Sequence, residues 1–229
     1  DRYFISKAKD LHKDQSYVLW GLSQEAMRRS RFPLSELLKS EVRKMASDMG
    51  YDNLAKKAES YEICFVPDND YRSFLKRRVD GLEDKVEGGY FINARGELLG
   101  KHHGYPFYTI GQRKGLGVAF GKPMFVTDIH PETNTVVLGD EEDLSRQGMT
   151  VGKLNWHKYD HIPEQVELIT KIRYKDAGHL SAVQHINGQL NVQFSSRVKG
   201  IAPGQSAVVY DGEDLVCGGI IASSLQNIP

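Results

Sequence analysis

Two cysteines stand in this chain, and their surroundings differ. Cys64 lies in Ser60-Tyr61-Glu62-Ile63-Cys64-Phe65-Val66-Pro67, between a charged helical stretch and the segment that opens the next domain. With polar residues just before it, it is a candidate reactive thiol; the alternative is a structural cysteine. Cys217 lies in Leu215-Val216-Cys217-Gly218-Gly219-Ile220-Ile221, an apolar, strand-like run in which a free cysteine behaves as a small hydrophobe. The densest polar motif is Thr109-Ile110-Gly111-Gln112-Arg113-Lys114-Gly115-Leu116-Gly117. Its glycines free the backbone to bend, and Gln112, Arg113 and Lys114 add donors suited to phosphate or an RNA backbone. It lacks the Gly-Lys-Ser/Thr ending of a P-loop and the spacing of a dinucleotide fingerprint, so a tight structural turn with a basic flank is the competing reading.

Three further groups carry polar or titratable side chains at suggestive spacing. Lys13-Asp14-Gln15-Ser16-Tyr17 opens a predicted helix, where backbone N–H groups suit an anion; a capped, solvated helix end explains it equally on spacing. Lys171-Ile172-Arg173-Tyr174-Lys175 alternates basic and apolar residues. On a strand Lys171, Arg173 and Lys175 would share one face, with Tyr174 beside Ile172 on the other, as in an RNA surface or a solvated barrel wall. The histidines predict no metal site: His102 and His103 would point to opposite faces of a strand, and Pro163 argues against a helix joining His157 to His161.

These residues need a scaffold. The chain has 229 residues, enough for one large domain or two to three small ones with a core of their own. Thirty basic and thirty acidic side chains cancel, so any nucleic-acid surface must be a local patch. Two cysteines make no disulfide framework, which favours a reducing cytoplasm, and no apolar run reaches the ~18 residues of a membrane span. Residues 1 to about 60 read as helical. Ser40 is the expected cap of a helix carrying Val42, Met45, Ala46 and Met49, Gly50 stops it, and Pro33 marks a break before it. Asp68 to Asp70 would cap a short helix bearing Tyr71, Phe74 and Leu75. Hairpins are expected at 90–100 and 124–138. Beyond about 150, strands at 166–174, 180–186, 189–194, 206–210 and 215–221, separated by Asn187-Gly188, Pro203-Gly204 and Asp211-Gly212, predict a small barrel or sandwich.

Taken in order, Lys13-Asp14-Gln15-Ser16-Tyr17, Ile63-Cys64-Phe65, Gly111-Gln112-Arg113-Lys114-Gly115-Leu116-Gly117, Arg173-Tyr174 and Pro203-Gly204-Gln205-Ser206-Ala207 resemble the bacterial tRNA-specific 2-thiouridylases across essentially the whole chain. The resemblance implies an α+β part followed by an all-β part. Residues 1–65 would be the helical tail of an α/β ATP-pyrophosphatase domain, 66–149 a small mixed central domain, and 150–229 a six-stranded β-barrel like those of translation factors. It implies that Cys64 receives sulfur as a persulfide, and that Lys13, Asp14, Gln15, Arg173, Tyr174 and Gln205 contact tRNA. The implied partners are the tRNA anticodon region and a sulfur donor protein, with neither membrane nor DNA. ATP and magnesium are implied for the intact enzyme. The family's nucleotide loop and first catalytic cysteine do not occur here, so the chain is expected to be a fragment, inactive alone and without specific ATP binding. The family usually places a small residue and glycine before Ile-Cys, where this chain has Tyr61-Glu62; a carboxylate close to the thiol would raise its pKa. The alternatives are a stand-alone RNA-binding module with an inert Cys64 and, from a third class, a thiol redox protein pairing Cys64 with Cys217.

Overall fold

A computed structural model describes residues 2–57, 66, 70–118, 121–164 and 166–225. In chain order its α-helices are α1 (Gln24–Arg29), α2 (Lys39–Asp48), α3 (Asp52–Lys56), α4 (Tyr71–Arg78) and α5 (Leu82–Val86). Its strands are β1 (Gly89–Ile92), β2 (Leu98–His102), β3 (Phe125–His130), β4 (Thr135–Gly139), β5 (Ser145–Trp156), β6 (Leu168–Lys171), β7 (His179–Ile186), β8 (Gln189–Lys199), β9 (Ser206–Asp211) and β10 (Asp214–Leu225). The chain packs as two units: Asp1–Ala58 together with Arg146–Pro229, and Glu59–Ser145.

The first unit is built on a closed six-stranded barrel in the order β10-β5-β8-β7-β6-β9. Along β7 and β8, Ser181, Val183, Leu190, Val192 and Phe194 turn inward while their neighbours face solvent, the period-two alternation of a half-buried strand. Asn187 and Gly188 both take positive φ between Ile186 and Gln189, the turn that an Asn-Gly pair favours in a two-residue hairpin. Strand β9 breaks the alternation because both its faces are covered. Ala207 and Val209 enter the barrel core, whereas Val208 and Tyr210 belong to a second core with Ile5, Tyr17, Met27 and Leu215. The run Ala207-Val208-Val209-Tyr210 is therefore apolar throughout. Cys217 is fully buried in the barrel core, and burial pushes its thiol up to about 12, so it is the small hydrophobe expected.

The expectation of a helical start holds only in part. Residues 2–15 contain no helix among the described residues; Ser16–Leu19 is a single 3-10 turn, and α1 begins at Gln24. The reason is tertiary. The β9–β10 turn offers backbone partners, and the early chain takes them: Leu215 N–H donates to the Ile5 carbonyl at 2.8 Å and Lys7 N–H to the Glu213 carbonyl at 2.9 Å. Helix α2 forms as expected, but Ser40 does not cap it. Leu38 is the N-cap, the Glu41 carboxylate accepts from its N–H at 2.6 Å, and Asp10 accepts from Lys39 N–H at 2.9 Å. No residue of α2 is buried.

In the second unit the strand order is β2-β1-β4-β3, with β1 and β4 parallel and the other pairs antiparallel. Both expected hairpins are present. The sheet packs Phe91, Val126, Val136 and Leu138 against Phe107, Tyr108 and Leu116. Asp70 caps α4 by accepting from Ser73 N–H at 3.0 Å. Asn134, at φ 47°, ties its turn to α5 by donating from Nδ2 to the Val86 carbonyl at 2.6 Å.

Each unit buries one neutral histidine. In the first, His157 Nε2–H donates to the Trp20 carbonyl at 2.8 Å while Nδ1 is buried without a partner. In the second, His102 Nδ1 accepts from Gly104 N–H at 2.9 Å and Nε2 is the buried, unpartnered atom. Burial, above all, lowers both pKa values. The unfolded chain, with histidine near 6.5, then binds protons before the folded chain does. Their contribution is intact above about pH 6.5 and is lost as pH falls through the lower folded values. Thermal melts at pH 7.5 and 5.5 should show a lower midpoint at pH 5.5, and His157→Gln should flatten that difference.

Candidate nucleic-acid interface

Tyr17 anchors one neighbourhood in the first unit. Its hydroxyl donates to the Ser206 carbonyl at 2.8 Å, and its ring lies 6.4 Å from the Tyr174 ring, centroid to centroid. Burial, helped by the negative charge of Asp176, pushes the Tyr17 hydroxyl up to about 12, so it stays a donor at any physiological pH. Trp20 reinforces the attachment: its indole N–H donates to Ser206 Oγ at 2.9 Å, and its ring lies against Gly218 so closely that a Cβ there would be 2.6 Å from Trp20 Cβ and Cγ. The Trp20 carbonyl is held by Asn155 Nδ2 at 2.6 Å as well as by His157.

Most of the residues marked by the resemblance gather around this anchor. Gln15, exposed, precedes the Ser16–Leu19 turn that carries Tyr17. Lys13, also exposed, closes the preceding turn by donating from its N–H to the Asp10 carbonyl at 2.9 Å. Asp14 is placed differently. It is buried, and its carboxylate accepts from Ala8 N–H, Ser16 N–H and Ser16 Oγ at 3.0, 3.2 and 2.7 Å. It holds the turn that displays Lys13 and Gln15. Gln205 is exposed beside Ser206, in a loop laced to β10: its carbonyl accepts from Ile221 N–H at 2.8 Å and Gly204 N–H donates to the Ile221 carbonyl at 2.9 Å.

Arg173 and Tyr174 do not lie on a strand, which corrects the expected basic row on one strand face. Strand β6 ends at Lys171, and the buried Ile172 begins a turn. Asp176 causes it: its carboxylate accepts from Ile172 N–H at 3.0 Å and contacts His179 Nε2 at 3.1 Å, while its own N–H donates to the Arg173 carbonyl at 3.1 Å. The turn lifts Arg173, Tyr174 and Lys175 into solvent. The Arg173 guanidinium lies beside Gly200, where a Cβ would be 3.3 Å from Nη1. Sequence reasoning passed over Trp20 and Asp176, and took Tyr17 only as part of a pentad. The one available signal was the aromatic pair Tyr17 and Trp20 at i, i+3.

Cys64 lies outside the described residues. Among the described residues, no group of three or more His, Cys, Asp or Glu side chains could hold a metal ion, and no helix is long and apolar enough to cross a membrane.

The second unit carries the glycine motif as a braced turn. Gly111, Gly115 and Gly117 all take positive φ, between 74° and 86°, a conformation that side chains with a Cβ disfavour. Gly111 N–H donates to the Val126 carbonyl at 2.8 Å and Val126 N–H to the Gln112 carbonyl at 2.9 Å, pinning the turn to β3. The Gln112 side chain serves the turn itself, accepting from Thr109 N–H at 3.1 Å and donating to the Lys114 carbonyl at 3.0 Å. Leu116 is buried, while Arg113 and Lys114 are exposed.

Comparison with known proteins adds the family. Three family models match in succession: "tRNA methyl transferase HUP domain" over residues 1–68, "tRNA methyl transferase PRC-barrel domain" over 72–140 and "Aminomethyltransferase beta-barrel domain" over 146–221. Among curated relatives, the tRNA-specific 2-thiouridylase MnmA of Cytophaga hutchinsonii is 53% identical over 99% of this chain and 62% of its own length. The proteins of the same name from Amoebophilus asiaticus and Salinibacter ruber are each 50% identical, over 98% and 96% of this chain and 60% and 58% of their own lengths. The chain thus spans about three fifths of the relatives it matches.

Proposed function

The chain belongs to the tRNA-specific 2-thiouridylase family, and on that premise we propose that it supplies the tRNA-binding surface and the sulfur-receiving thiol of wobble-uridine 2-thiolation. The observation that carries the RNA part is the gathering of Gln15, Tyr174 and Gln205 around Tyr17, from segments up to 189 residues apart. A cation at Arg173 beside an exposed aromatic at Tyr174 suits a nucleic-acid backbone and an unstacked base. The division into parts 1–65, 66–149 and 150–229 is retained as a functional proposal, the first holding Cys64 and the last the barrel contacts.

In this reading the outer sulfur of a donor protein's persulfide is transferred to the Cys64 thiolate, and the terminal sulfur then attacks C2 of the uracil. A second cysteine thiol, implied by the family resemblance, attacks Cys64 Sγ, breaking the S–S bond and leaving a disulfide with Cys64. ATP and magnesium would make the C2 oxygen a leaving group. The described residues do not fit that pair: they offer no acidic cluster for the cation, and the glycine-rich turn at 111–117 leads into a strand instead of a helix N-terminus. No step at this chain's residues is therefore assigned to ATP, and the 229 residues alone are expected to bind tRNA without thiolating it. The cytoplasm is the proposed compartment.

Binding of a tRNA transcript, followed by fluorescence anisotropy between about 50 and 200 mM salt, tests the RNA part. Arg173→Ala should weaken binding and make the dependence of log K on log salt shallower by about one unit, as for one lost phosphate contact. Tyr174→Ala should cost about 1–3 kcal/mol with little change in slope, as for a lost stacking platform. Wild-type affinity and slope in both variants would remove this surface from RNA recognition.

A further inference from the structure

The glycine motif is not used by the barrel-side surface, and it borders a cleft of its own. In the second unit, Tyr71 and Arg72 at the start of α4 face Thr109, Gln112, Lys114 and Gly115 across a depression that is widely open to solvent. We propose that this cleft binds a backbone phosphodiester of the RNA, a second grip on the same substrate; the inference rests on the RNA reading above.

Three observations support it. The first is charge. Arg72 and Lys114 are two cations against the single carboxylate of Asp70 at the cleft edge, and that carboxylate already accepts from Ser73 N–H and Oγ at 3.0 and 2.5 Å. Among the described residues no carboxylate forms an ion pair with Arg72, Arg113 or Lys114. The second is preorganisation. Arg72 is positioned by donating from Nη2 to the Gly115 carbonyl at 3.3 Å, with its guanidinium 5.8 Å from the Tyr108 ring centroid. Lys114 is carried on the turn that Gln112 braces and Leu116 anchors. A donor set held in place before binding loses less entropy when the ligand arrives.

The third observation is shape, and it selects the ligand. Small-molecule sites enclose most of their ligand, whereas this cleft is shallow and open. It suits one phosphate of a polymer that continues beyond it. The left-handed glycines support this reading. At Gly111 and Gly117 a Cβ would meet nothing within 4 Å, so packing does not require glycine there. The turn's curvature does, and that curvature presents Arg113 and Lys114 at the surface.

The test uses the full chain and the same tRNA transcript. Lys114 is exposed, so its substitution should leave the fold intact, as circular dichroism would verify. Lys114→Ala is expected to bind about tenfold more weakly at about 0.1 M salt, with a salt slope shallower by about one unit, and Lys114→Arg should restore both. Gln112→Ala, which keeps the cation but removes its brace, should weaken binding with the wild-type slope. A wild-type slope in Lys114→Ala, alongside a reduced slope in Arg173→Ala, overturns the cleft proposal and leaves the RNA reading standing. Wild-type slopes in both variants overturn the two together.

Discussion

Trp20→Ala should lower the unfolding free energy of the first unit by about 3 kcal/mol, the lower end for removing a well-packed aromatic because Trp20 is only partly buried. The loss has two sources. The ring leaves a void over Gly218, and Ser206 Oγ loses its indole donor. The backbone carbonyl of residue 20 still receives Asn155 and His157, so the early segment is loosened without being freed. The expected signature is therefore selective. Protease should cut sooner within residues 1–58, the barrel should keep its far-ultraviolet strand signal, and tRNA affinity should fall because Gln15 and Tyr17 are held less firmly. Gly218→Ala approaches the same contact from the other side, since its methyl group has no room beneath the ring. Denaturant melts of both variants, with tRNA binding, decide the matter. Wild-type stability in both would mean that the Trp20–Gly218 contact does not hold the segment.

The larger effect on activity is expected at Cys64. In the proposed transfer the thiolate attacks the outer sulfur of the donor's persulfide, a bond to that sulfur forms, and the donor leaves as its own thiolate. Cys64→Ala has no atom to make that bond. Labelled sulfur carried by the wild-type chain should be absent from the variant, while tRNA affinity should stay within about twofold, because no RNA contact is assigned to the thiol. At a pKa near 8.5 only a few per cent of a thiol is ionised at pH 7, and a carboxylate at Glu62 would reduce that fraction further. Glu62→Gln should therefore speed sulfur uptake at pH 7, with little difference remaining at pH 9.5. Equal labelling of wild type and Cys64→Ala would leave an RNA-binding module with an inert cysteine as the better reading.

Much of the barrel could be read from the chain, and its failures have identifiable causes. Strands β7 and β8 announce themselves by alternation around Asn187-Gly188. Strand β5 was not anticipated: Gly148, Gly152 and the polar residues between Ser145 and Trp156 interrupt any period of two. The expected strand through Tyr174 is cut short because a side chain, Asp176, captures the backbone N–H of Ile172, a local bond that strand propensity does not register. The early chain read as helical, but Leu19 and Leu22 pack against a core that includes residues of β9 and β10, while Val18 is exposed. Composition and spacing marked Arg173 and Tyr174 as one possible RNA surface and Lys13-Asp14-Gln15 as an anion-suited segment; the family resemblance singled them out and added Gln205. The groups that hold them, Trp20 and Asp176, became visible only when distant segments were brought together.

Strand β9, covered on both faces, also bears on biosynthesis. Tyr17 and Ser206 are separated by 189 residues, and Arg2 and His157 by 155. A ribosome adding about 5–20 residues per second must work for roughly ten to forty seconds after Tyr17 before Ser206 exists to receive it. Throughout that interval Ile5, Tyr17, Trp20 and Met27 lack the β9 and β10 side chains they pack against in the fold. That core can be completed only once the last strands have been made.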